Sequence, residues 1–110
     1  MVKGIVDNII RSQHAEDYLD YFGCQDLDSI ESLLSPECVL SDWNVGIVKG
    51  IENVMKVYSD IFNSVEKIDI DILHLYEDSD AIISEMIITM DEKVMPIVDV
   101  IKFDESDLLL

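Results

Sequence analysis

The stretch MPIVDVIKF, residues 95–103, is built for a strand and carries an acid at its centre. A side-chain period of two puts Met95, Ile97, Asp99, Ile101 and Phe103 on one face and Val98, Val100 and Lys102 on the other, so Asp99 points where its neighbours are apolar. An ionised carboxylate there must find donors or take up a proton, and a proton held there near neutral pH is chemically useful. Asp42 ends a shorter alternating stretch, ECVLSDW, in which Cys38, Leu40 and Asp42 face one way; on local grounds a strand-end acid also serves as a turn or cap residue. His14 and His74 lie on apolar faces and titrate near neutrality, although a histidine in such company is in general a satisfied core residue. Glu85, between Ile83 and Ile87, is a further candidate pocket acid. Trp43 with Met55, Tyr58, Phe62 and Met86 could wall a pocket for a flat hydrophobic ligand, or be plain core.

These groups need elements to hold them. From Ile5 to Phe22, Val6, Ile9, Ile10, His14, Tyr18, Tyr21 and Phe22 recur at three- and four-residue steps, which predicts an amphipathic helix closed by Gly23. Asp26 is placed to cap a second helix carrying Leu27, Ile30, Leu33 and Leu34, stopped by Ser35-Pro36. After the short strand, NVGIVKG reads as a turn with two glycines, leading into a third helix with Ile51, Val54, Met55, Tyr58, Ile61 and Phe62 on its buried stripe. From Lys67 the period changes to two. KIDIDILHLY sets Ile68, Ile70, Ile72, His74 and Tyr76 on one face; AIISEMIITM and MPIVDVIKF follow, separated by EDSD and DEK turns. The order predicts an α+β single domain over residues 1–110, with three N-terminal helices packed on a mostly antiparallel sheet.

The chain has 110 residues, 49% hydrophobic and 28% charged, as expected of one soluble globular domain. Its 24 acids against 7 Lys and Arg give a formal charge of -17. So negative a surface repels phosphate backbones and anionic lipids, which argues against nucleic acid and membranes as partners. Cys24 and Cys38 are expected as free thiols in a cytoplasmic protein, since the N-terminus lacks a secretion pattern. No Cys/His cluster suggests a metal, and no apolar run approaches the roughly 20 residues of a membrane helix.

The segments YLDYFGCQDLDSIESLL, ECVLSDW, VKGIENVMKVYSDIF and VDVIKF together resemble the superfamily that includes nuclear transport factor 2, ketosteroid isomerase and the SnoaL-like polyketide cyclases, over about Ile5 to Phe103. The resemblance implies a cone-shaped roll with a highly curved sheet, a pocket at its wide end for a small apolar molecule, no cofactor, and a homodimer. It also implies catalytic positions. Tyr18 precedes Asp26-Leu27 where ketosteroid isomerase has a pocket tyrosine, Asp42 falls on its first acid, and Asp99 on its second, the acid held neutral as a hydrogen-bond donor. Trp43 stands where the isomerase usually has proline, and the family's long final strand is represented here by three residues, Leu108 to Leu110, so that an open or partner-completed cone is an alternative.

Two functions follow as expectations. One is an isomerase or cyclase that needs no cofactor, with Asp42 moving a proton next to a carbonyl while Tyr18 and Asp99 hold the enolate oxygen. If His14 reaches Asp42, the pair suits dehydration or cyclisation better. The other is a non-catalytic ligand-binding or dimerisation module in which the same residues only shape the fold.

Overall fold

The structure, a computed structural model, describes residues 2–42 and 45–110, and the side chains of residues 9–42 and 45–110. Trp43 lies outside the described residues. Helix α1 spans Val2–Gly23 and buries Ala15, Tyr18, Leu19 and Phe22 along one stripe. The helix runs one residue past Phe22, and the left-handed residue of the turn is Gln25 (φ 57°) rather than Gly23. The side chain of Gln25 anchors the turn: its Nε2 donates to the carbonyls of Phe62 at 3.3 Å and Val65 at 3.4 Å. Asp26 then caps α2, Leu27–Leu33, accepting from the Ser29 amide at 3.2 Å, which satisfies one orphan donor of the first turn.

Strand β1, Val39–Asp42, pairs antiparallel with β2, Gly46–Lys49, in the register Asp42↔Gly46 to Val39↔Lys49. Residues 46–49, read above as part of a turn, are therefore a strand. Gly46 (φ 75°) and Gly50 (φ 87°) bracket it, so the two glycines supply the left-handed corners while Ile47 and Val48 extend between them. Gly50 is also the N-cap of α3, Ile51–Ser64, which buries Val54, Tyr58 and Phe62.

The second sheet is a meander of β3, Ile68–Glu77, β4, Ala81–Met90, and β5, Lys93–Lys102, in the order β3-β4-β5 and antiparallel throughout. In β4 the alternation is complete, with Ile82, Ser84, Met86 and Ile88 buried and Ile83, Glu85, Ile87 and Thr89 turned to the other face. β3 breaks its own alternation. Its register shifts between Ile72 and His74, leaving Leu73 as the extra residue of a β-bulge. Leu75 consequently packs against the core, while His74 and Tyr76, predicted to share the face of Ile68, Ile70 and Ile72, are exposed opposite Glu85 and Ile83.

Two contacts fix the ends of this frame. The Asp91 carboxylate at the β4–β5 turn accepts from the amides of Glu66 at 3.0 Å and Lys67 at 2.9 Å, tying the end of α3 to that turn. At the opposite end Arg11 binds the Asp107 carboxylate at 2.8 Å and lies 5.5 Å from the Phe103 ring centroid, while Leu109 bridges to Leu34 and Phe103. The described residues form an α+β fold with three helices and antiparallel sheets.

Candidate active site

The site starts from how α1 meets α3. Phe22 packs edge-on to Phe62 (ring centroids 5.1 Å apart, 70° between planes) and to Tyr58 (5.8 Å, 84°), arrangements that aromatic quadrupoles favour. One turn earlier, Tyr18 comes within 6.2 Å of the Tyr58 ring, and the two hydroxyls form a buried hydrogen bond of 2.7 Å. Burial first, and then the neighbouring Tyr58, hold the Tyr18 phenol well above its usual range; burial pushes Tyr58 up to about 12. Both hydroxyls thus keep their protons at neutral pH and remain donors.

Asp99 reaches this pair from the sheet. It sits on the inward face of β5 between Ile97 and Ile101, opposite the fully buried Ser84 of β4, and is itself half-buried. Desolvation raises its carboxyl above the usual range, and the charge of Asp42 raises it further. The charge of Asp99 in turn contributes to the shifts of Tyr18 and Tyr58. Asp42 is exposed at the end of β1. The pattern is two carboxyl groups close enough to interact but in different surroundings, one wet and one largely dry.

All four groups line one cavity of about 450 Å³, whose apolar wall includes Phe22, Ile61, Ile88, Met95 and Ile97. A neighbouring cavity of about 580 Å³ lies between β1 and β5 and shares Tyr18, Tyr58 and Asp99. Both volumes fall in the range of small-molecule sites.

The remaining candidates go elsewhere. Met86 is 1% exposed and belongs to the core, where the Ser84 hydroxyl donates to its sulfur at 3.5 Å; Phe62 is core and Met55 packs against the core's edge. His14 holds the Asp107 carbonyl through Nδ1 at 2.6 Å, and so fastens the C-terminal segment. His74 lies on the outer face of the sheet 5.6 Å from the Tyr76 ring, and Glu85, opposite it, accepts from the Tyr76 hydroxyl at 3.5 Å. The polar role of Tyr58 was missed. Its helical spacing announces burial, and nothing local tells that its hydroxyl meets that of Tyr18.

The elevated Asp99 carboxyl makes a stability prediction. A carboxyl whose folded pKa lies above the unfolded value, about 3.9, favours the fold while protonated, and that stabilisation is lost as pH rises through the folded pKa. Asp99→Asn does not titrate, so its stability relative to wild type should improve as pH rises from about 3, where the carboxyl is protonated in both states, toward neutrality. Denaturant unfolding of both proteins across that range measures it; a constant difference would show that Asp99 bears no such shift.

An α+β chain whose helices and strands converge a tyrosine pair and two acids on one cavity defines an acid- and tyrosine-lined cavity protein. The family model of the SnoaL-like domain matches residues 15–109, and the chain belongs to that family, within the superfamily of nuclear transport factor 2. Among solved structures it is similar to an uncharacterised cystatin-fold protein from Novosphingobium aromaticivorans (14% identity, TM-score 0.81, covering 90% of this chain and 92% of that one). It is also similar to an epoxide hydrolase of M. tuberculosis (12%, 0.76, 93% and 78%) and to a steroid delta-isomerase of Pseudomonas aeruginosa (16%, 0.71, 91% and 74%). At these identities the likeness is one of fold. No curated protein matches the chain in sequence. No helix among the described residues is long and apolar enough to cross a membrane.

Proposed function

We propose that this protein is an isomerase or cyclase acting without a cofactor on a small apolar carbonyl compound, by proton transfer at the carbon next to the carbonyl. The supporting observation is the convergence of the hydrogen-bonded Tyr18–Tyr58 pair, the elevated Asp99 and the exposed Asp42 on one cavity. In this reading the Asp42 carboxylate takes the proton from the α-carbon. The C–H electron pair becomes the new C=C bond, the C=O π pair moves onto oxygen, and Asp42 returns the proton to another carbon of the same system. The enolate oxygen accepts hydrogen bonds from Tyr18 and from protonated Asp99, while Tyr58 donates to Tyr18 and so leaves the Tyr18 proton free for the substrate. The test is exchange of α-hydrogens for deuterium in a panel of enolisable carbonyl compounds, with Asp42→Asn as the control for the base.

The alternative, a binding module without chemistry, would show ligand affinity and no exchange in any member of the panel. A reducing, cytoplasmic location is part of the proposal, supported by the free thiols of Cys24 and Cys38.

We also propose a homodimer. The outward face of β4 and β5 carries Ile83, Ile87, Val94, Val98 and Val100, three of them about 60% exposed, with Glu85 the one acid of its central rows. For a chain of charge -17, two copies repel wherever acids face each other, so this charge-poor face is where they can meet. Val98→Lys should convert a dimer to a monomer in sedimentation equilibrium, and a wild type that is monomeric at tens of micromolar would refute the pairing.

A further inference from the structure

The cavity of about 450 Å³ is a groove with two different ends. On the sheet side it follows the inward face of β5 through Lys93, Met95, Ile97 and Asp99; on the helix side it follows α3 from Tyr58 through Ile61 to Ser64 and then Val65. Tyr58 lies at the Asp99 end, because the charge of Asp99 acts on it. Val65 lies at the Lys93 end, because the next two amides bind Asp91 in the β4–β5 turn. Tyr58 and Asp99 of the proposed reaction centre therefore lie at one end and Ser64 and Lys93 at the other, with the apolar Ile61, Met95 and Ile97 between them. Six residues of strand separate Asp99 from Lys93, about 20 Å at 3.3 Å per residue, an upper bound that the lysine side chain shortens.

Lys93 is the one cation among the described residues lining this groove. It is also uncommitted: the ion pairs of the described residues join Arg11 to Asp107 and Lys67 to Asp69. Lys49, Lys56 and Lys102 are likewise outside those ion pairs, so what sets Lys93 apart is that it alone of these cations lines this groove. We propose that the ligand carries an anionic group, a carboxylate, at the end remote from its reacting carbonyl, and that Lys93 recognises it. The substrate class is then an apolar keto acid rather than a neutral ketone. This specificity rests on the proton-transfer reading of the other end.

Phenols whose ionised oxygen stands in for the enolate can separate the two ideas. A matched pair is needed, with para-alkyl chains of equal length ending in a carboxylate or in a primary amide, titrated against wild type, Lys93→Met, Lys93→Glu and Lys56→Met. Lys56 is an exposed residue of α3 that does not line the groove, and its replacement controls for net charge. The expected result is that the affinity ratio of carboxylate to amide falls roughly two- to five-fold in Lys93→Met, the range of an exposed ion pair, falls further in Lys93→Glu, and holds in Lys56→Met. The effect should shrink at high salt. An unchanged ratio in both Lys93 variants, with both phenols still bound, overturns the assignment of Lys93 and leaves the reaction centre standing. Failure of both phenols to bind wild type overturns the reaction centre and this inference with it.

Discussion

Asp42→Asn abolishes α-hydrogen exchange while leaving the protein folded and its cavity competent. The side chain is exposed at the end of β1, so replacing it by its amide costs little packing. It removes the proton acceptor, which in positioned acid–base catalysis is worth about 10²–10⁴-fold in rate. Binding of an enolate mimic should persist or strengthen, since the negative charge that opposes ionisation at Asp99 also opposes an oxyanion beside it. Exchange from deuterated water, followed by proton NMR on a substrate the wild type turns over, measures the loss. A folded variant retaining a third or more of the wild-type rate would remove Asp42 from the mechanism, and the same result for Asp42 and Tyr18 variants together would leave the cavity a binding site.

Tyr18→Phe weakens binding of an ionised phenol by up to about 10²–10³-fold, the loss typical of one oxyanion donor. Wild type should bind phenols in their ionised form below their solution pKa, read from phenolate absorbance, because donors kept protonated by burial favour an anion over a neutral ligand. The single substitution has a second consequence: it strands the buried Tyr58 hydroxyl, at a cost to stability of about 1–3 kcal/mol. Tyr18→Phe with Tyr58→Phe removes both partners and should restore much of that stability without restoring phenolate binding. Recovered stability and recovered binding together would mean that Tyr18 acts only through packing. Neutral binding of every phenol by wild type would mean that no oxyanion site exists.

The placement of Asp99 was legible in the chain because β5 keeps a strict alternation from Val94 to Lys102, and parity alone decides which face an aspartate meets. The N-cap of α2 was legible for the same kind of reason: an Asp three residues before Ser29 needs only local geometry. β2 was hidden because its flanking glycines read as turn residues, and a four-residue strand exists only through its pairing with β1.

His74 shows where local reading stops. Five alternating residues from Ile68 to Tyr76 predict one face, but the bulge at Leu73 inserts a residue against β4, and a slip of one inverts every later side chain. What the sequence by itself determined is the kind and order of the elements other than β2, the N-cap of α2, and the acid on the inward face of the last strand, since these depend on period and near neighbours. The tertiary structure alone decided that Tyr18 and Tyr58 share a hydrogen bond, that Asp42 and Asp99 feel each other, and that Lys93 ends the same groove. Those relations join residues tens of positions apart, and their geometry is set by how helices pack on sheets, for which no local pattern codes.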